Sequence, residues 1–562
     1  MRIKYLKIFF FTLLLFYQSS LYAKNNNVNE FNSKNFSNYF SALLSYNNQK
    51  NIDALKFFKS SKSLINKHQS YLKKYIFSLI LEGKVDRAIH ELKYVLDKKN
   101  SDFFEAYLLL MLDNTKKGDF EKSKKYLAGL SKFKENGTFE LIIYETLKNY
   151  TYLFENKTIL LTADTFGNLS LITKTFQSCY LDENQTRLYF TSLINDNELD
   201  YSRYIFFYTN YLIEQNKLEE IKKITNQIDI LNSSLLVSQT KKWIDRNDLK
   251  KITKIFSCKN ENDLLGEFFF LIANLYTTQD DLLKSNFYLN ISNFLNSKFK
   301  YNLTLLADNY FKNKNYDKTE KIFNKFNKDD DIYYWHKIKK KSQIIYEEFD
   351  EQQSFNFINS KFKKIKNPEI NILFDMANTA KNFKKHKVAI NYYNKVLSRI
   401  SDNSQSYADI LYRRGGSYER LGNFEKSDED LLKSLEINSD DAYVLNYLAY
   451  SWLERNYKID VAIEMLEKAY MQKKNDPFII DSIGWGYYLV EDFVRAEQFL
   501  KRAVELMPDD PIVNDHYGDI LWKLDRKIQA KYYWENVLNF KNTEDKMKED
   551  IYIKLLKGPK KI

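Results

Sequence analysis

Only 5 prolines and 13 glycines punctuate a chain of 562 residues. An all-β protein turns roughly every ten residues and needs many more of both, so their scarcity points to helices. Cysteine is just as rare. Cys179 and Cys258 stand alone, which removes any Cys-x-x-Cys zinc site. A disulfide between them and a pair of buried free thiols both fit the sequence. The histidines His68, His90, His336, His386 and His516 are scattered. His90-Glu91 opens like a zinc-protease motif, but Tyr94 holds the place of the second histidine. No GxGxxG, P-loop or GxSxG run occurs. The chain offers no catalytic residue, no metal ligand set and no cofactor motif, and an enzyme is not expected. Beyond the N-terminus no stretch reaches the roughly 18 uninterrupted apolar residues of a membrane-spanning helix, so the expectation is a soluble protein or one in peripheral contact with a membrane.

Hydrophobic residues make up 44% of the chain and charged residues 28%, a balance that suits folded protein. The length exceeds what one core usually holds, so several domains or a repeat array are expected. The net charge of +12 raises the question of nucleic acid. Lys and Glu are interspersed, as in Glu219-Glu220-Ile221-Lys222-Lys223, and no RNA-recognition or zinc-finger pattern accompanies them. A solvated lysine-rich surface accounts for the charge, and no nucleic-acid partner is expected. At the start, Arg2, Lys4 and Lys7 precede an apolar run of ten residues, Ile8 to Tyr17, too short to span a bilayer. Leu21-Tyr22-Ala23 then offers a cleavage site before the polar Lys24-Asn25-Asn26-Asn27. Residues 1–23 read as a secretory signal peptide, and the mature chain is expected in the periplasm. Leu21 is larger than that cleavage position prefers, which keeps an uncleaved N-terminal anchor open as the alternative. No cysteine lies near residue 23 to carry a lipid.

Internal repetition is the strongest signal. A small residue recurs at Gly415, Ala449, Gly484 and Gly518, in steps of 34, 35 and 34. A second column, Ser427, Ala462, Ala496 and Ala530, keeps steps of 35, 34 and 34. Leu431, Leu466, Leu500 and Trp534 follow four residues later, then Ser434, Ala469, Ala503 and Val537. Upstream the grid is fainter: Ala377, Ala389, Tyr393 and Val396; Ala307, Tyr310, Thr319 and Phe323; Ala273, Tyr276, Ser285 and Leu289. Nearer the start come Ala42, Ala54 and Phe58, then Ile76, Ala88 and Leu92, then Met111, Ser123 and Leu127. Gly83 and Gly118 fall in the expected turns between paired helices. Residues of about 135 to 205 do not fit, and Asn136-Gly137 and Gly167-Asn168 mark loops there. Lys546 to Leu556 reads as a last amphipathic helix closed by Gly558-Pro559, whose polar outer face would seal the array.

With Ile483-Gly484, Tyr487, Ala496, Leu500, Ala503 and Pro508, the third copy resembles the tetratricopeptide repeat family. The first copy departs from that pattern at Ser434 and Ser439. The resemblance implies an all-α protein, a right-handed α-solenoid of helix-turn-helix repeats that is degenerate in its N-terminal two thirds. The expected division is a signal peptide (1–23), a degenerate helical-repeat region (24–369), a regular repeat domain (370–541) and a capping helix with tail (542–562). In that family the first helices of successive repeats line a concave groove. The positions that match here are Tyr412; Asn446 and Tyr450; Asp481, Trp485 and Tyr488; and Asp515, Asp519 and Trp522, with His516 beside them. Ordinary packing between repeats would explain the aromatics, and so would a binding surface, where buried Trp and Tyr are typical anchors. The set lacks Lys and Arg. A ligand ending in a free carboxylate would need such groups, so an extended segment with apolar and basic or amide groups is favoured.

The runs Asp481-Ser482-Ile483-Gly484-Trp485 and His516-Tyr517-Gly518-Asp519-Ile520-Leu521-Trp522 are similar to those of a bacterial envelope tetratricopeptide group. Some members of that group act as adaptors for a carboxyl-terminal processing protease and bring it to cell-wall hydrolases. That likeness covers mainly residues 370–541 and implies an exported scaffold whose protein partner is an envelope protease or a hydrolase. A factor that binds cell-wall glycan through the same aromatic groove is the competing expectation.

Overall fold

The computed structural model describes residues 32–65, 67–95, 101–160, 166–195, 202–226 and 228–559. The segment read as a signal peptide lies outside them. The described residues form helices joined by short turns, with no strand among them. Antiparallel helix pairs repeat along the chain as an α-solenoid.

One local device recurs in five of the pairs. The residue before the second helix's cap has left-handed backbone, and an Asp or Asn then caps that helix. Asp119, Asp281, Asn315, Asn423 and Asp492 each accept a hydrogen bond from the backbone N–H three residues on. The preceding left-handed residues are Gly118, Asp280, Lys314, Gly422 and Glu491. Glycine fits this conformation best, yet polar residues fill three of these five sites, and that is how the array turns so often with so few glycines. The repeat columns lie where the helices of a pair meet. Ala42, Ala54, Ala88, Ala273, Ala307, Ala389, Ala449, Ala462, Ala496 and Ala530 are all fully buried.

The chain divides into two compact units, one made of residues up to 226 with 239–329, the other of 227–238 with 330 onward. In the first unit, non-neighbouring pairs also pack together. Phe77, on the helix Gln69–Leu81, stacks on Phe287 at 4.5 Å. Phe139 stacks on Tyr276 at 4.2 Å. The Tyr310 hydroxyl donates to the Leu81 carbonyl at 3.1 Å. The helix Phe104–Lys116 is buried along nearly its whole length. The irregular stretch contains one long helix, Thr138–Asn156, and a pair, Asn168–Leu181 and Thr186–Ile194. Cys179 and Cys258 are joined in a disulfide with Cα atoms 5.9 Å apart, settling the choice the sequence left open.

The second unit stacks its pairs in chain order. They are α1 (Asp331–Glu348) with α2 (Glu351–Phe362), α3 (Ile370–Asn382) with α4 (His386–Leu397), and α5 (Gln405–Glu419) with α6 (Phe424–Ile437). There follow α7 (Ala442–Glu454) with α8 (Ile459–Gln472), α9 (Pro477–Leu489) with α10 (Phe493–Leu506), and α11 (Pro511–Lys523) with α12 (Lys527–Asn539). The helix α13 (Asp545–Lys557) closes the array. One core runs from Leu431 through Leu466 and Leu500 to Trp534 and on to Ile551 of α13. The outer side of α13 is less polar than a sealing helix calls for: Tyr552, Ile553 and Leu556 are exposed.

Candidate partner-binding groove

The helices α9 and α11 begin alike. Asp476 and Asp510 cap them by accepting from the backbone N–H groups two and three residues on, and Pro477 and Pro511 take the first turn. Two helices started at the same phase present matching positions side by side. The opposite face of each is pressed onto its partner helix. A Cβ at Gly484 would lie 2.8 Å from Leu500 Cγ, and one at Gly518 would lie 2.3 Å from Trp534 Nε1. Each first helix of a pair therefore keeps one face for packing and turns the other toward the groove.

On that face the predicted residues fall into three groups. Tyr450, Asp481, Trp485, Tyr488 and His516 form one cluster. The Trp485 ring stacks on His516 at 4.2 Å and on Tyr488 at 4.8 Å. His516 Nδ1 is 2.9 Å from Asp481 Oδ2, and the Tyr450 ring lies 6.4 Å from the imidazole. Trp485 Nε1 donates to Glu454 at 3.1 Å. Burial alone would pull the His516 pKa down, but the charge and hydrogen bond of Asp481 outweigh it and hold the ring above its ordinary value. Burial, reinforced by Glu454 and Asp481, drives the Tyr450 hydroxyl well up, so it stays a neutral donor.

The second group is the acid pair. Asp515 and Asp519 both bind Lys554 of α13, at 2.6 and 2.8 Å. Asp519 also accepts from Trp534 Nε1 at 3.2 Å. Burial and then the Asp515 charge raise the Asp519 carboxyl to about 6, against the pull of Lys554. The third group stands apart. Tyr412 meets Tyr447 edge to face at 5.6 Å. Asn446 is half-buried, with Oδ1 lacking a hydrogen-bond partner. Trp522 packs on Trp534 at 5.4 Å and under Gly558, where an added Cβ would lie 2.5 Å from its ring. The chain's own C-terminal end thus covers Trp522.

A cavity of about 460 Å³ opens between α9, α11 and α13, walled by Trp485, Tyr488, Asp519, Met547, Ile553 and Lys554. Two participants escaped the sequence reading. Glu454 sits five residues after Ala449, one place beyond the position that Tyr488 and Trp522 hold in their repeats, so the repeat register pointed next to it. Lys554 lies beyond the repeats, and only the packing of α13 brings it in. Among the described residues no three His, Cys, Asp or Glu side chains gather as a metal site, and no helix is long and apolar enough to cross a membrane.

The tetratricopeptide repeat family matches residues 408–441, which run from the first turn of α5 through the end of α6. A tetratricopeptide repeat-containing protein of Pseudomonas aeruginosa is 28% identical over 128 residues, covering 22% of each chain. The match thus spans about a fifth of that relative. Among solved structures, a thermophilic tetratricopeptide protein of Thermus thermophilus is 15% identical, covers 34% of this chain and all of its own, and has a TM-score of 0.30. MamA of Desulfovibrio magneticus is 16% identical, covers 31% of this chain and 97% of its own, and has a TM-score of 0.27. Arrays of this kind generally serve as non-catalytic scaffolds that hold protein partners on extended curved surfaces. What the family match supports is a tetratricopeptide repeat at residues 408–441 of this chain.

Proposed function

We propose that the protein is an exported scaffold that holds a protein partner in the groove of its last four repeats. The carrying observation is the ring stack of His516, Trp485 and Tyr488, held between Asp481 and Glu454. Its side chains are already fixed by one another, so little rotamer entropy remains to be lost when a partner docks. Rigid aromatics with acids at their edges suit a segment that combines apolar and basic side chains. The Cys179–Cys258 disulfide supports an oxidising compartment, in keeping with a signal peptide over residues 1–23 and a periplasmic location. The narrower reading, an adaptor for an envelope protease or a cell-wall hydrolase, is supported by the likeness of residues 481–485 and 516–522 to such adaptors.

The test is a photo-crosslinking amino acid at position 485, activated in intact cells. The expected product is a discrete protein adduct that disappears when Tyr488→Ala and His516→Ala are added. Capture of glycan instead, or an adduct unchanged by those substitutions, would refute the reading.

A further inference from the structure

The acid pair in the groove is already occupied by a ligand from the same chain. Lys554 reaches from α13 to Asp515 and Asp519, and two apolar residues on the same helix face complete the contact. Ile551 is fully buried in the core, and Met547 packs against it. Met547, Ile551, Lys554 and Leu555 follow the spacing i, i+4, i+7, i+8, the pattern of an amphipathic helix laid in a groove. A helix that only sealed the last repeat would show water a polar back, yet this one shows Tyr552 and Leu556. The seat is also unfinished. The cavity beside Lys554 is walled by Trp485 and Tyr488. Behind Trp485, Asp481 Oδ1 is buried with no hydrogen-bond partner.

Building on the groove reading above, we propose that α13 is a resident pseudo-ligand, displaced by a partner helix that presents a lysine to Asp515 and Asp519 in the same apolar-x3-apolar-x2-Lys pattern. The turn at 540–544 joins α13 to α12 and is the hinge on which the helix swings out. Charge decides the class of partner. Asp515 and Asp519 with Lys554 removed leave two buried or half-buried carboxylates facing the aromatic wall, which a lysine side chain neutralises and an acidic or phosphorylated one cannot.

The probe is a fluorescein-labelled peptide of residues 543–558, titrated by polarisation against the full-length protein. A tether this short holds α13 at an effective concentration of about 1 mM. If the free peptide binds at about 100 µM, the tethered helix occupies the groove about ten times out of eleven. Full-length Lys554→Glu frees the groove and is expected to bind the peptide about tenfold more tightly than wild type. A peptide with glutamate in place of that lysine is expected to gain nothing. Lys554→Met gives the same reading without a new charge, should Lys554→Glu fold poorly. Equal peptide affinity in wild type and variants, or equal binding of the lysine and glutamate peptides, would overturn the proposal. The crosslink at position 485 separates the two readings. Adducts that form equally in wild type and Lys554→Met leave the groove standing and remove the displaced helix, whereas no protein adduct in either removes the groove.

Discussion

The glycine column makes a graded prediction, because the same substitution meets a different obstacle in each repeat. A Cβ at Gly415 would lie 3.1 to 3.3 Å from Leu431 and Asp430 side-chain atoms, which need shift only a few tenths of an ångström. One at Gly484 would lie 2.8 and 2.9 Å from Leu500 Cγ and Cδ2, and 3.1 Å from the Leu500 backbone nitrogen, so α9 and α10 must part slightly. One at Gly518 would sit 2.3 to 3.0 Å from the Trp534 indole, which is fully buried and donates to Asp519. Against each cost stands the gain of alanine over glycine inside a helix, about 1 kcal/mol. Gly415→Ala should therefore be neutral or slightly stabilising. Gly484→Ala should lose about 0–2 kcal/mol, an overpacking cost of about 1–3 kcal/mol less the helix gain of about 1 kcal/mol. Gly518→Ala should lose more still, about 3 kcal/mol, because the indole and its hydrogen bond must both be displaced. The assay is urea unfolding followed by tryptophan fluorescence, which favours this region because four of the six tryptophans, Trp452, Trp485, Trp522 and Trp534, lie in the last repeats. Equal losses at 415 and 518, or stabilisation at 518, would show that the crossing points are not where helix meets helix.

Other consequences follow from single groups. The raised Asp519 carboxyl favours its protonated form in the fold, so its contribution is complete below about pH 4 and lost as the pH rises to about 6, a swing of about 3 kcal/mol. The raised His516 pKa contributes fully below its unfolded value and is lost as the pH rises through its higher value in the fold. The C-terminal transition should thus weaken from about pH 4 to about pH 6 as Asp519 ionises and again at higher pH as His516 loses its proton, with Asp519→Asn flattening the lower limb and His516→Gln the upper in the same fluorescence assay. Asp430 is buried, and Arg414 holds it through two bonds of 2.6 and 2.7 Å. Arg414→Leu strands that carboxylate and should cost about 3–5 kcal/mol in urea. Reduction of Cys179–Cys258, which are 79 residues apart, should destabilise the first unit by about 2–4 kcal/mol and leave the fluorescence transition of the last repeats in place.

The helix pairs were legible because a crossing point tolerates few side chains, and that constraint writes a period into the chain. The small residues at 449, 462, 484 and 496 record it directly. The acid and aromatic columns were legible for a related reason: they interrupt an apolar helix, so Asp481 and Trp485 stand out beside Ile480 and Ile483, although Asp481 is itself buried against His516. What the period could not record is contact between elements outside the repeat. Lys554 carries no repeat signal, and nothing in its neighbours Ile553 and Leu555 says which face of α13 meets α11. The coverage of Trp522 by Gly558 belongs to the same class, since it depends on where a terminal turn lands.

One distinction was written in the sequence and is plain only once the structure is known. The groove columns are not alike in the two units. Counted from Ile76 and Met111, the equivalents of Asp481 and Trp485 are Lys73 with Phe77 and Leu108 with Leu112. Phe77, Leu108 and Leu112 are buried, and Phe77 stacks on Phe287. Apolar groove columns cannot remain wet, because each buried large side chain is worth about 1.5–3 kcal/mol, so non-neighbouring pairs of the first unit close on one another. In the second unit the same columns hold Asn446, Asp481 and Asp515, then Tyr450, Trp485 and Asp519. Carboxylates there resist such closure, since burying one without a cation is costly. Where these acids are closed, each meets a nitrogen group: Asp481 is buried on His516, and half-buried Asp515 and buried Asp519 meet Lys554 of the final helix.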